Sequence, residues 1–121
     1  MLTPGALGRG VSQLGSMPYA ALMALHPDIA AFARALRDLE AHLRTHGAPS
    51  WAQEIARCAD LVEQSDYYGV VRFFGLFGGM GSLSDLVLQR DGRIFSRENE
   101  ELQAFITRSY SLAEELRRDQ P

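Results

Sequence analysis

The chain has 121 residues, of which 46% are hydrophobic and 22% charged; that suits one domain with a single core and excludes wholesale disorder. The net charge is −3, and all twelve basic residues are arginine. This balance argues against a nucleic-acid binder, which needs a concentrated basic patch, and against a partner of anionic membranes.

Cys58 is the only cysteine, so no intrachain disulfide can form, and the chain is compatible with a reducing compartment. No apolar run approaches the ~20 residues that cross a bilayer. The first residues lack the layout of a secretory signal. The expected location is cytoplasmic.

Residues 1–18 contain Pro4, Gly5, Gly8, Gly10, Gly15 and Pro18 without a sustained period. They read as an irregular N-terminal arm, and residues 19–121 as a single helical domain. Tyr19 to Leu25 fits a short helical turn, after which Pro27 disfavours helix at His26. Ile29, Phe32, Ala33, Leu36, Leu39 and Leu43 then form one apolar stripe, predicting a helix from about Asp28 to Thr45. Gly47 and Pro49 are its stop signals.

Ser50, with Gln53 at the capping-box position, predicts the start of a second helix. Its period turns Trp51, Ile55, Cys58 and Val62 inward and Asp60 and Glu63 outward. A third helix is expected from Ser65 or Asp66 to Leu76. Val70, Val71, Phe73, Phe74 and Phe77 cover most of its circumference, which marks it as the most buried element. β-Structure is the competing reading, since valine and phenylalanine favour strands.

Arg90-Asp91-Gly92 between Leu86–Gln89 and Arg93–Phe95 signals a hairpin. The last helix is expected from about Glu98 to Arg118, with Leu102, Phe105, Ile106, Ser109, Leu112, Ala113 and Leu116 on one side. Glu114 and Arg118 have the favourable i,i+4 order. The expected fold class is mainly α: a compact bundle of about four helices with one small β-hairpin between the third and last helices.

The most distinctive segment is Phe73 to Leu86, where Gly75, Gly78, Gly79 and Gly81 stand among large apolar residues. In a structural reading, Gly78, Gly79 and Gly81 end the third helix and turn the chain, while Ser82 and Asp85 bond backbone N–H groups of that turn. In a functional reading, the bare backbone is a nest for a phosphate or carboxylate. A nucleotide cradle would add a preceding strand, a following helix and often a lysine, and this chain has no lysine.

The run from Phe77 through Gly78, Gly79, Met80, Gly81, Ser82, Leu83, Ser84 and Asp85 to Leu86 resembles the signature of an uncharacterised bacterial domain family, Phe-Gly-Gly-Met-Gly-Ser-Leu-Asn-Asp-Leu. The resemblance extends from about Trp51 to Leu116 and includes Asn99, before the last helix. Ser84 departs from it, standing where the family reads asparagine. The resemblance implies no established activity. It implies similarity to small accessory proteins carried near bacterial toxin genes, and hence an immunity role.

Asp38, His42 and His46 share a helix flank, but two histidines make only half of a metal site, and a solvated face near the helix C-terminus accounts for them. Cys58 among Trp51, Ile55 and Val62 predicts an inert, buried thiol rather than a nucleophile. Glu98, Glu100 and Glu101 suit a helix N-terminus. Asp85, between apolar residues, is expected to be partly buried, either paired with an arginine or available for acid–base work.

No second catalytic group accompanies it, so no catalytic residue, metal or cofactor is assigned. Glu54, Asp60, Glu63 and Asp66 give the second helix an acidic side. Tyr67 and Met80 are candidate partner contacts beside it. The expected function is a non-catalytic module that binds another protein, of the toxin-inhibitor type. The alternative is a small-molecule or anion-binding module using Gly78 to Asp85.

Overall fold

The computed structural model describes residues 25–78 and 81–119. The N-terminal arm, the turn from Tyr19, and Gly79 and Met80 lie outside the described residues. Within these, the order is α1 (Pro27–Thr45), α2 (Pro49–Glu63), α3 (Tyr68–Phe74), a 3-10 turn (Leu83–Asp85), β1 (Gln89–Arg90), β2 (Arg93–Ile94) and α4 (Ser96–Arg118). Among the described residues the fold is a four-helix arrangement with an antiparallel hairpin between α3 and α4. α1 packs against both α2 and α4, and α3 bridges α2 to α4.

α1 begins one residue before the expected start, because proline at the first helical position loses no hydrogen bond. The Asp28 N–H donates to His26 Nδ1 at 3.2 Å. At its far end Gly47 adopts φ +86° and the Ala48 N–H reaches the Leu43 carbonyl at 2.8 Å, a Schellman closure. That bond feeds the chain directly into α2. Pro49 therefore opens α2, and the expected Ser50 cap does not form: Ala48 is the N-cap, without a side-chain bond.

α2 closes in the same manner, with Ser65 at φ +59° and the Asp66 N–H on the Leu61 carbonyl at 2.9 Å. This reversal consumes the residues expected to start the third helix. α3 is consequently seven residues long, and it is not the most buried element. Val71 is 50% exposed and Tyr68 54%, whereas Phe32, Leu36, Leu39 and Leu43 of α1 are wholly inaccessible. α1 is the central helix.

α3 is held close to α2 by Gly69. A Cβ there would lie 2.6 Å from Val62 Cγ2 and 2.8 Å from the Cys58 carbonyl oxygen, inside α2's own backbone. Gly69→Ala is expected to destabilise the fold by about 1–3 kcal/mol, despite alanine's helix preference of about 1 kcal/mol. Urea unfolding measures this directly. An unchanged midpoint would mean that α3 can move off α2 at no cost.

The hairpin turns at Asp91 and Gly92, both with positive φ (+52° and +79°), as a two-residue type I′ turn requires. Its strands are shorter than the apolar runs suggested. The Asn99 side chain takes over Leu88: its Oδ1 accepts the Leu88 N–H at 2.8 Å, and its Nδ2 donates to the Leu88 and Phe95 carbonyls at 3.0 and 2.8 Å. Along α4, Leu102, Ile106, Ser109, Ala113 and Leu116 are buried as the stripe predicts. Glu114, however, pairs with Arg117 at 2.8 Å rather than with Arg118. Arg117 also lies 4.4 Å above the Phe74 ring.

Candidate binding groove

The described residues on either side of Gly79 and Met80 are tied to the core and to one another. Leu83 is fully buried, and its N–H donates to the Leu76 carbonyl at 2.9 Å. Gly78 and Gly81 have φ of +90° and +76°, which side-chain-bearing residues adopt only under strain. The Gly81 N–H donates to Asp85 Oδ2 at 3.1 Å, and the Asp85 N–H donates to the Ser82 carbonyl at 3.0 Å. Asp85 thus performs the turn-closing role of the structural reading. It is exposed, not partly buried as expected.

Ser82 Oγ lies 2.8 Å from Ser84 Oγ, so Ser84 fills its position by a hydroxyl contact. Beside this turn runs an open groove of about 430 Å³, lined by Trp51, Gly81, Ser82, Asp85, Leu86, Val87 and Gln89. Trp51 packs against the core, as its inward position predicts, but is only half-buried at the start of α2 and also lines this groove. A signal was available: a tryptophan in the first turn of a helix lies at the rim of a bundle, where its large ring is seldom fully covered.

The acidic side of α2 does not form a free ledge. Glu63 turns inward, with a side chain only 9% exposed, and holds Arg37 of α1 at 2.7 and 2.9 Å. Asp60 is exposed and shares the same guanidinium at 2.7 Å. Glu54 pairs with Arg57 and Arg72 at 3.4 and 3.2 Å. Asp66 accepts the Tyr68 N–H at 2.9 Å.

Arg37, unremarked in the sequence, is what collects the carboxylates of both helices. Asp66 and half-buried Tyr67 border a separate cavity of about 100 Å³ with Ile29, Val62, Val70 and Leu116. Asp60 follows Trp51 by nine residues, roughly 14 Å along a helix axis. The groove and the acidic cluster are therefore different surfaces.

Cys58 is buried, and that burial pushes its thiol up to about 12, with Glu54 adding to the effect and Arg72 opposing it. It stays protonated at neutral pH and has no nucleophilic character. His42 does not sit on a solvated face. It is half-buried, packs 5.1 Å from the Phe105 ring, and its Nε2 donates to the Glu98 carbonyl at 2.9 Å. It joins α1 to the start of α4. Among the described residues, no three His, Cys, Asp or Glu side chains converge on a metal-sized site, and no helix is long and apolar enough to cross a membrane.

Residues 44–96 match a family described as a domain of unknown function, DUF6966. The matched stretch runs from the end of α1 to the start of α4 and includes every residue that lines the groove. No curated protein and no solved structure matches the chain.

Proposed function

We propose that this chain is a non-catalytic, cytoplasmic protein-binding module of the bacterial immunity or antitoxin type, and that it docks its partner in the Trp51 groove. The partner's active site would be occluded by the bulk of the module, with no bond made or broken here. The observation that carries this reading is the groove itself. Trp51, exposed apolar Val87 (48% exposed) and the internally bonded Gly81–Asp85 turn line one open groove. Aromatic anchors beside such preformed surfaces are where binding energy concentrates.

The anion-binding alternative is disfavoured at the same place. The Gly81 N–H that a nest would offer is already taken by Asp85, whose own negative charge would repel an incoming phosphate. Expressing the chain together with the product of an adjacent gene tests the proposal. A complex that co-elutes from a sizing column, protects cells from that product, and is lost with Trp51→Ala is the expected result. Recovery of no complex, or of one indifferent to Trp51→Ala, would overturn it.

A further inference from the structure

The outer edge of the hairpin has a bonding pattern that specifies how a partner would dock. Next to a two-residue type I′ turn, the pair flanking the turn exchanges hydrogen bonds, and such pairs then alternate with unbonded ones. Arg90 opposite Arg93 is that bonded pair, and Gln89 opposite Ile94 is the unbonded one. The Phe95 N–H on the Leu88 carbonyl at 3.2 Å continues the alternation. The main-chain groups of Leu88 and Arg90 therefore face β2, and those of Val87 and Gln89 face away from it.

Asn99 fixes this orientation by holding both the N–H and the carbonyl of Leu88 on the inner side. Among the described residues, the Val87 main chain has no hydrogen-bond partner. The segment that carries this edge borders the groove, since Leu86, Val87 and Gln89 line it together with Trp51. Exposed edges of this kind are normally guarded by a charge or a proline. Val87 and Gln89 carry neither.

Charge then sets the direction of the occupant. The groove's lining residues include one carboxylate, Asp85, and no cation. Asp85 spends one oxygen on Gly81. At the opposite end, exposed Arg90 and Arg93 flank the hairpin tip.

We infer that the Val87–Gln89 edge takes up an extended segment of the partner protein as an added β-strand, with a lysine or arginine of that segment at the Asp85 end. This rests on the groove being the docking site, and it adds the partner's conformation and charge. Main-chain bonds to Val87 and Gln89 would give affinity, while the indole and Asp85 select side chains.

The test uses the full chain and a set of ten-residue peptides of alternating threonine and valine, ending in lysine, glutamine or glutamate. Amide exchange is followed by NMR. The expected result is new protection at Val87 and Gln89, with Leu88 and Arg90 unchanged because they are already bonded. The lysine peptide should bind about three- to five-fold tighter than the glutamate peptide at low salt, a preference removed by Asp85→Asn, which keeps an oxygen for Gly81.

Val87→Pro should abolish binding while leaving the fold intact. The Val87 N–H is unused, and Leu86 at φ −68°, ψ +132° already has the conformation that precedes proline. No protection with any peptide at millimolar concentration would overturn the inference, as would binding that survives Val87→Pro. Protection that rises with protein concentration in the absence of peptide would assign the edge to a second copy, and would overturn the partner-segment assignment. A neighbouring-gene complex sensitive to Trp51→Ala but indifferent to Val87→Pro would leave the docking proposal standing and remove only the strand addition.

Discussion

Arg37→Ala is expected to destabilise the fold by about 2–4 kcal/mol, because its ion cluster is half-buried and lies between exposed pairs, worth about 0–1 kcal/mol, and buried ones, whose rupture costs about 3–5 kcal/mol. Arg37 of α1 bonds Glu63 through Nε and Nη2 at 2.9 and 2.7 Å, Asp60 at 2.7 Å and Glu40 at 2.9 Å. Burial alone would lower its pKa; the bonds to Glu63, Asp60 and Glu40 more than reverse that, so its charge persists above the ordinary arginine range. The guanidinium therefore stays charged throughout the pH range in which unfolding is measured.

Without the guanidinium, Glu63 and Glu40, whose side chains are 9% and 14% exposed, are left with Asp60, and among the described residues the ion pair that remains to them is Arg44 on Glu40. Like charges in low dielectric repel strongly, so the stranded carboxylates should dominate the loss. One readout follows from that cause. Adding Glu63→Gln to Arg37→Ala should recover part of the loss in urea titrations. No recovery would mean that Arg37 acts through the packing of its aliphatic stem instead.

The parts of this fold that were legible in the sequence are those fixed by local periodicity and turn chemistry. The stripes of α1 and α4 place their buried residues directly, and Asp91-Gly92 forms the turn it signals. Gly78 and Gly81 take positive φ and turn the chain, but they do not end α3 as expected: it stops at Phe74, with Gly75 as its C-cap.

What escaped reading was set by distance along the chain. The α2–α3 reversal depends on Ser65 in a left-handed conformation, and a serine gives no such signal. The α2 period placed Glu63 outward. It turns inward because Arg37, 26 residues earlier, receives it. Gly69 was detectable in principle, since a glycine inside an apolar helical run usually marks close approach. Asn99 is half a site by itself, and its meaning appears only when Leu88 and Phe95 meet it.

Phe73→Ala should cost about 3–5 kcal/mol, the range for truncating a buried aromatic ring. The ring is fully inaccessible, edge-on to Phe32 at 5.4 Å and to Phe77 at 5.0 Å, with Tyr110 at 6.3 Å. It therefore ties α3 to the central helix and to α4 at once. A seven-residue helix has almost no stability of its own, so α3 persists because Phe73 and Val70 are buried. Phe74→Ala is the comparison. That ring is half-buried and meets Tyr110 and Arg117 at 5.1 and 4.4 Å, and its loss should cost roughly 1–2 kcal/mol.

The consequence reaches the groove, because the Leu83 N–H is anchored on the Leu76 carbonyl just beyond α3. In Phe73→Ala, under conditions where the chain remains folded, exchange at Leu83 and Gly81 should accelerate while α1 amides keep their protection. Uniform acceleration across α1 and the turn would instead make the bundle one cooperative unit, with the groove no less stable than its scaffold.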